Sequence, residues 1–246
     1  MKQMYLHMLN LMDAVHKDFT SALPAPVWTP VADGWGYRFE DRGTRQAVVL
    51  KLAFIQSGLR AALVLLEVGH VLEQAIIQRV VDEAGEDVTF MTFAEVNGDA
   101  PELLKRYLDV FWAEEFGDGD DVLSSHQERA PVPRRKIRAY VGRSTDNSSR
   151  AVDVSKVLSN AYSGFVHAAS PHIMEMYVGS PPHFCTRGML GTHRVEEYER
   201  DLWNYMYRGL LAHMSAALLF GSEQHWDMLK EHRANYEALM DKRYGN

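Results

Sequence analysis

Cysteine is almost missing from this 246-residue chain: Cys185 stands alone. That excludes an internal disulfide framework and a zinc site built from thiolates. An excess of positive charge is missing too. Against 26 Lys and Arg stand 33 Asp and Glu, a formal charge of −7, whereas a general nucleic-acid coat needs a basic surface. No clean apolar run is long enough to cross a bilayer. The most apolar segment, 47–68, is interrupted by Lys51, Gln56 and Arg60, and its longest unbroken stretch is only Ala61 to Leu66. The first 22 residues mix charged with apolar positions and hold no signal-peptide core. A reducing cytoplasm and no membrane contact are therefore expected. A Gly-rich phosphate loop, a Gly-x-Ser-x-Gly elbow and a helix-turn-helix signature are all lacking, so no cofactor is expected either.

What is present is an ordinary globular composition, 46% hydrophobic and 24% charged. Met4, Met8, Leu11, Met12 and Val15 recur at helical spacing and predict an amphipathic helix to about Thr20. Pro24, Pro26, Pro30, Gly34 and Gly36 then predict a long loop or irregular cap over 23–45, made sticky by Trp28, Trp35, Tyr37 and Phe39. The segment 47–68 is apolar nearly all round, as a central bundle helix is. Gly69 breaks it, and a second helix with Ile76, Ile77, Val80, Val81, Ala84 and Val88 on one face follows to about Glu95. So short a joint makes the two antiparallel neighbours. Pro101 opens a further helix to about Phe116. Helix is also expected over 153–177 with a break at Pro171, then a second loop at 179–192. A long helix over 195–220 ends at Gly221, and a last one is capped by Ser222. Only Arg138 to Val141 has a strand-like period. The expected fold is all-α: a single helical domain with an N-terminal helix and loop cap (1–45) on a four-helix-bundle core (46–240), with long loop excursions.

Two neighbouring segments carry opposite charge. Asp82 to Asp121 holds thirteen carboxylates against Lys105 and Arg106, and Glu128 to Arg150 holds seven cations against two acids. The basic stretch contains Pro131 and Pro133 and predicts mostly loop. It either docks on the acidic half or contacts RNA.

The stretch KLAFIQSGLRAALVLLEVGHVLEQAIIQRVVDEAGEDVTFM (51–91) and the later LSNAYSGFVHAA (158–169) resemble a bacterial all-helical family related to the HEPN fold. In that family an apolar helix and a short Gly turn lead into a helix carrying an Arg and acidic residues, and a later helix places Tyr and Ser before a His. The resemblance implies a HEPN-type four-helix core. It also implies either a metal-independent ribonuclease or a nucleotide-binding or regulatory partner in toxin and phage-defence systems. The hallmark of such nucleases is Arg followed after four to six residues by His. Arg187 with His193, and Arg208 with His213, have that spacing, although each Arg precedes Gly rather than the polar residue usual there.

His167 is the first candidate general base, on a helical face shared with Asn160 and Ser163; the plainer reading is a polar-face His bonded to a neighbouring helix. Arg208 and His213 are the second pair. Arg79, Asp82, Glu83, Glu86 and Asp87 form a charged cluster on an apolar helix; Arg79, Glu83 and Glu86, with Asn160 and Ser163 beside His167, are candidate ligand-binding groups, although Arg79 would also pair simply with Asp82 at i+3 and Glu83 at i+4. The one Glu-x-x-His, Glu67 to His70, lies at a helix break, so no metal site is assigned. Seven of the eleven His fall between His167 and His232 among aromatics, a mixture that suits a flat ligand, a core or a dimer interface. Cys185 sits in a Pro/Gly loop near His183 and Arg187, where an activated thiolate is conceivable. Three functions stay open: a soluble binding or regulatory module acting as a homodimer, a HEPN-type ribonuclease, and a small-ligand or metal-dependent helical-bundle enzyme.

Overall fold

The computed structural model describes residues 2–31, 34–114, 130–143, 157 and 161–244. The chain is 74% helix, an all-α bundle with a few short strands. In order, the elements are α1 (Lys2–Ser21), β1 (Val27–Val31), β2 (Gly34–Arg38), α2 (Thr44–Glu67), α3 (Val71–Asn97), α4 (Pro101–Phe111), α5 (Arg134–Arg143), α6 (Ser170–Ile173), β3 (Tyr177–Val178), β4 (His183–Phe184), α7 (His193–Phe220) and α8 (Glu223–Tyr244). A further helical stretch covers 161–166.

Helices α2, α3 and α7 pack on one another, α1 lies against α2 and α7, and α8 rests on α7. The core is what the apolar spacing dictates. Leu52, Ile55, Leu59 and Leu63 of α2 are buried, as are Met12 and Val15 of α1 and Leu202, Met206 and Leu210 of α7. Ile77 of α3 is half-buried at the edge of this core. Two glycines set the spacing. A Cβ on Gly58 would sit 2.4 Å from the Val81 side chain, so glycine lets α2 and α3 approach closely. Gly69 turns the chain at φ +78°, and its carbonyl accepts from the Met189 amide at 2.8 Å. That bond fastens the loop before α7 to the α2–α3 turn. Gly221, left-handed at φ 64°, ends α7 as expected.

Helix α2 has the length and apolarity to cross a membrane by composition alone. Each polar residue interrupting it has a partner inside the protein: Lys51 pairs with Asp87, Gln56 bonds His213, and Arg60 pairs with Asp13.

Four regions depart from expectation. Residues 23–45 are not irregular: β1 and β2 form an antiparallel hairpin with Trp28 opposite Tyr37 and Pro30 opposite Trp35. Pro30 is tolerated because a two-stranded ribbon is all edge, where a missing N–H breaks no central ladder. Within its described residues, 130–143, the basic stretch is mostly helix rather than loop, as Arg134–Arg143 is helical, and the strand-like Arg138 to Val141 lies inside that helix. Prolines 131 and 133 precede this helix rather than interrupt it, and its inward cations meet carboxylates. The 179–192 loop is not wholly irregular: its His183–Phe184 (β4) pairs antiparallel with Tyr177–Val178 (β3) just before it. The helix opened by Pro101 stops at Phe111, with Trp112 at its C-cap.

Candidate functional site

Of the sequence candidates, Arg79, Glu83 and Glu86 lie along α3. Counting from its N-terminal half, Gln74, Gln78 and Asp82 are buried at four-residue intervals, and Asp87 is buried one turn further on. Opposite-charged groups reach them from three other helices. From α2, Lys51 Nζ lies 2.9 Å from Asp87 Oδ2. From α5, Arg134 donates to Asp87, to Glu86 at 2.8 Å and to the Glu83 carbonyl at 2.8 Å, while Arg138 Nε donates to Glu86 at 2.9 Å. From α7, Arg208 pairs with Asp82. Arg79 and Glu83 form the expected i,i+4 pair at 2.5 Å.

This arrangement answers the charge segregation in the sequence. The basic helix docks on the acidic one, so Arg134 and Arg138 are engaged inside the protein. Arg135, Lys136 and Arg143 of the same helix are exposed. Burial pushes the Asp82 carboxyl above the usual carboxylate range, although Arg208 opposes the shift. The Tyr107 hydroxyl is also held un-ionised, first by burial and then by the charge of Asp87 beside it. The site is thus a set of closed ion pairs. A buried pair resists removal of one member, since the other is left charged and unsolvated.

The second Arg–His candidate is taken apart by the fold. His213 lies at zero exposure inside the α1–α2–α7 core and does not meet Arg208. Its Nδ1 donates to the Gly209 carbonyl at 2.7 Å, and its Nε2 accepts from the Gln56 amide at 2.8 Å. Burial pushes its pKa down to about 4. Both ring nitrogens are satisfied in the neutral form, so no proton is exchanged with a substrate here. A helix rotates about 100° per residue, which sends Arg208 toward α3 and His213 toward α1 and α2. Of the other spaced pair, His193 opens α7, and Arg187 lies in the preceding loop.

His167 stands in the turn after the helical stretch 161–166 and is exposed; its backbone N–H donates to the Ser163 carbonyl at 3.1 Å. Ser163 is half-buried, and Asn160 lies outside the described residues. Nearby, the Tyr162 hydroxyl donates to Asp201 at 2.6 Å and its ring meets Tyr205 edge-on. The His- and aromatic-rich C-terminal half is divided: Trp203 stacks on Tyr236 with 3.4 Å between centroids, and Tyr198 and Tyr205 are buried, whereas Tyr177, Phe184 and Trp226 are exposed. Glu67 pairs with Lys2 and His70 with Glu73. No group of three or more metal-ligating side chains comes together among the described residues. Cys185 Sγ lies 3.7 Å from His183 Nε2 and is half-buried.

Sequence reasoning missed two features. One is Gln78, fully buried with neither amide atom bonded among the described residues. Its i±4 relation to Gln74 and Asp82 was the available signal. The other is the outer face of the hairpin. Trp28, Trp35 and Tyr37 are 57%, 62% and 65% exposed. Trp28 meets Tyr37 edge-on at 4.8 Å and lies nearly parallel to Trp35 at 6.5 Å. Pro30 shares this face, while Thr29, Val31, Gly36 and Arg38 are half-buried behind it. The hairpin is held by a two-pronged bridge: Arg38 Nε and Nη2 reach the two Glu114 oxygens at 2.7 and 3.0 Å. Alternation of aromatics across the Pro and Gly residues was legible, but those residues read first as breakers.

Comparison with known protein families, with curated proteins and with solved structures finds no match to this chain.

Proposed function

We propose that this chain is a helical binding module with a HEPN-like four-helix core, which acts by presenting an aromatic face to a protein partner. The observation that carries this reading is the hairpin. Three large aromatic rings and a proline share one solvent-facing side of a ribbon that is itself anchored by Arg38 and Glu114. Rigid aromatics at a surface supply contact area at low entropic cost and are favoured at protein interfaces. The candidate catalytic groups support the same reading from the other side, because Arg208 is paired with Asp82 and His213 is buried and neutral. The HEPN resemblance places such modules in bacterial defence and toxin–antitoxin systems.

The active form in this proposal is a homodimer. On α2, Leu50, Phe54, Ser57, Ala61, Val64 and Val68 are exposed. Their alternating steps of four and three are the spacing of a two-helix seam, and Ile76 and Val80 of α3 are exposed apolar groups as well. Sedimentation should find a dimer that Val64→Asp converts to monomer without loss of helicity. A wild-type monomer at micromolar concentration would remove this part of the reading.

Ribonuclease activity is the competing reading, and exposed His167 is the residue that favours it. The deciding experiment incubates the purified chain with single-stranded RNA in EDTA. Intact RNA is the expected result, together with capture of a partner protein that the Trp28→Ala, Trp35→Ala double variant no longer retains. Cleavage that disappears in His167→Ala would replace the binding module with a nuclease.

A further inference from the structure

A groove of about 530 Å³ opens along one face of α4, within the size range of small-molecule sites. Leu104, Leu108 and Trp112, at four-residue intervals on that helix, give it an apolar wall. Two cations stand at its rim, and they differ. Lys105 is already neutralised by Asp109 at 2.8 Å. Arg42, exposed in the loop before α2, donates only to the Trp112 carbonyl at 3.3 Å and has no carboxylate partner among the described residues. Trp112 lines the groove beside Arg42, and its indole N–H is buried with no acceptor among the described residues.

From these observations we infer that the α4 groove binds a small organic acid, an apolar body carrying one carboxylate. The body lies on Leu104, Leu108 and Trp112, and the guanidinium of Arg42 receives the carboxylate. A single cation without a carboxylate partner among the described residues suits a monoanion. A phosphate carries nearly two charges and usually meets several cations, whereas here Asp109 stands at the rim to oppose a second negative charge. An apolar wall with a single charged anchor is also the usual composition of a pocket that orients a mostly hydrocarbon ligand. This site is independent of the binding-module reading, since it shares neither the hairpin aromatics nor the outer face of α2.

The test uses the full chain labelled with nitrogen-15. Its five tryptophans give five indole N–H signals, and Trp112→Phe identifies the one from Trp112. Sodium octanoate should move that signal saturably, with a dissociation constant of about 1 mM or tighter. Octan-1-ol, which lacks the charge, and Arg42→Ala should each weaken binding by about tenfold, the scale of one charge-assisted contact. The four other indole signals report that the variant is folded. The inference is overturned if octanoate leaves the Trp112 signal in place, if octan-1-ol or Arg42→Ala binds as well as the reference, or if inorganic phosphate alone produces the same shift.

Discussion

On α3 the side chains that water prefers turn inward: Asp82, Asp87 and Gln78 are buried among helices. On the β1–β2 hairpin the side chains that a core prefers turn outward, with Trp28, Trp35 and Tyr37 more than half exposed. Both regions reverse ordinary sidedness, and they differ in what compensates for it. The carboxylates of α3 are matched by Lys51, Arg134, Arg138 and Arg208 from three other helices. Among the described residues, the hairpin rings make ring contacts with one another alone. A reversal that is matched internally serves architecture, because it specifies which helices meet and in what register. A reversal without an internal match is surface that the fold leaves for something else.

The largest effect should come from breaking the internal match. Asp87→Ala leaves Lys51 and Arg134 partly buried without their shared carboxylate and should cost about 3–5 kcal/mol in denaturant unfolding. A loss under about 1 kcal/mol would make α3 no more than a solvated face and erase the contrast with the hairpin.

A second effect sharpens the distinction between buried and available polar groups. Folded His213 resists protonation down to about pH 4, whereas the unfolded residue titrates near the ordinary histidine value of 6.5. Its contribution to stability is therefore complete above about pH 6.5 and is lost as pH falls toward 4, on the order of 3 kcal/mol in all. His213→Gln, which still offers an acceptor to Gln56, should flatten that part of the stability profile. An unchanged slope would mean that His213 is not held neutral by burial.

The smallest effect belongs to the hairpin. Trp28→Ala or Trp35→Ala removes only cross-strand ring contacts and should cost under about 1 kcal/mol in thermal or chemical unfolding. A loss of several kcal/mol would make the rings part of the core and leave the proposed face without support.

The order in which these features can be read from the chain follows their physical range. Helical periodicity is local, so α2, α3 and α7 and the glycine stops at Gly69 and Gly221 were legible in the sequence. The mutual docking of the basic and acidic segments was legible as one of two alternatives, because charge composition shows that two surfaces match but not that they meet. The fate of the Arg208–His213 spacing was not legible. Five residues fix a separation along a helix, but only the packing of α1, α2 and α3 around α7 decides which neighbour each side chain finds. The hairpin was hidden for a different reason: Pro30, Gly34 and Gly36 are local breakers whose effect is reversed by strand pairing, a partnership between residues up to eleven positions apart.

The bridge from Arg38 to Glu114 has a thermodynamic consequence. Glu114 follows directly on Trp112 and Ala113, which line the α4 groove, and Arg38 lies four residues before Arg42 at its rim. The ribbon and the mouth of the groove therefore share one short length of chain, fastened at the same point. Any free energy by which a protein seated on the ribbon alters acid binding in the groove must be returned in full, as an equal change in that protein's affinity when the acid is bound.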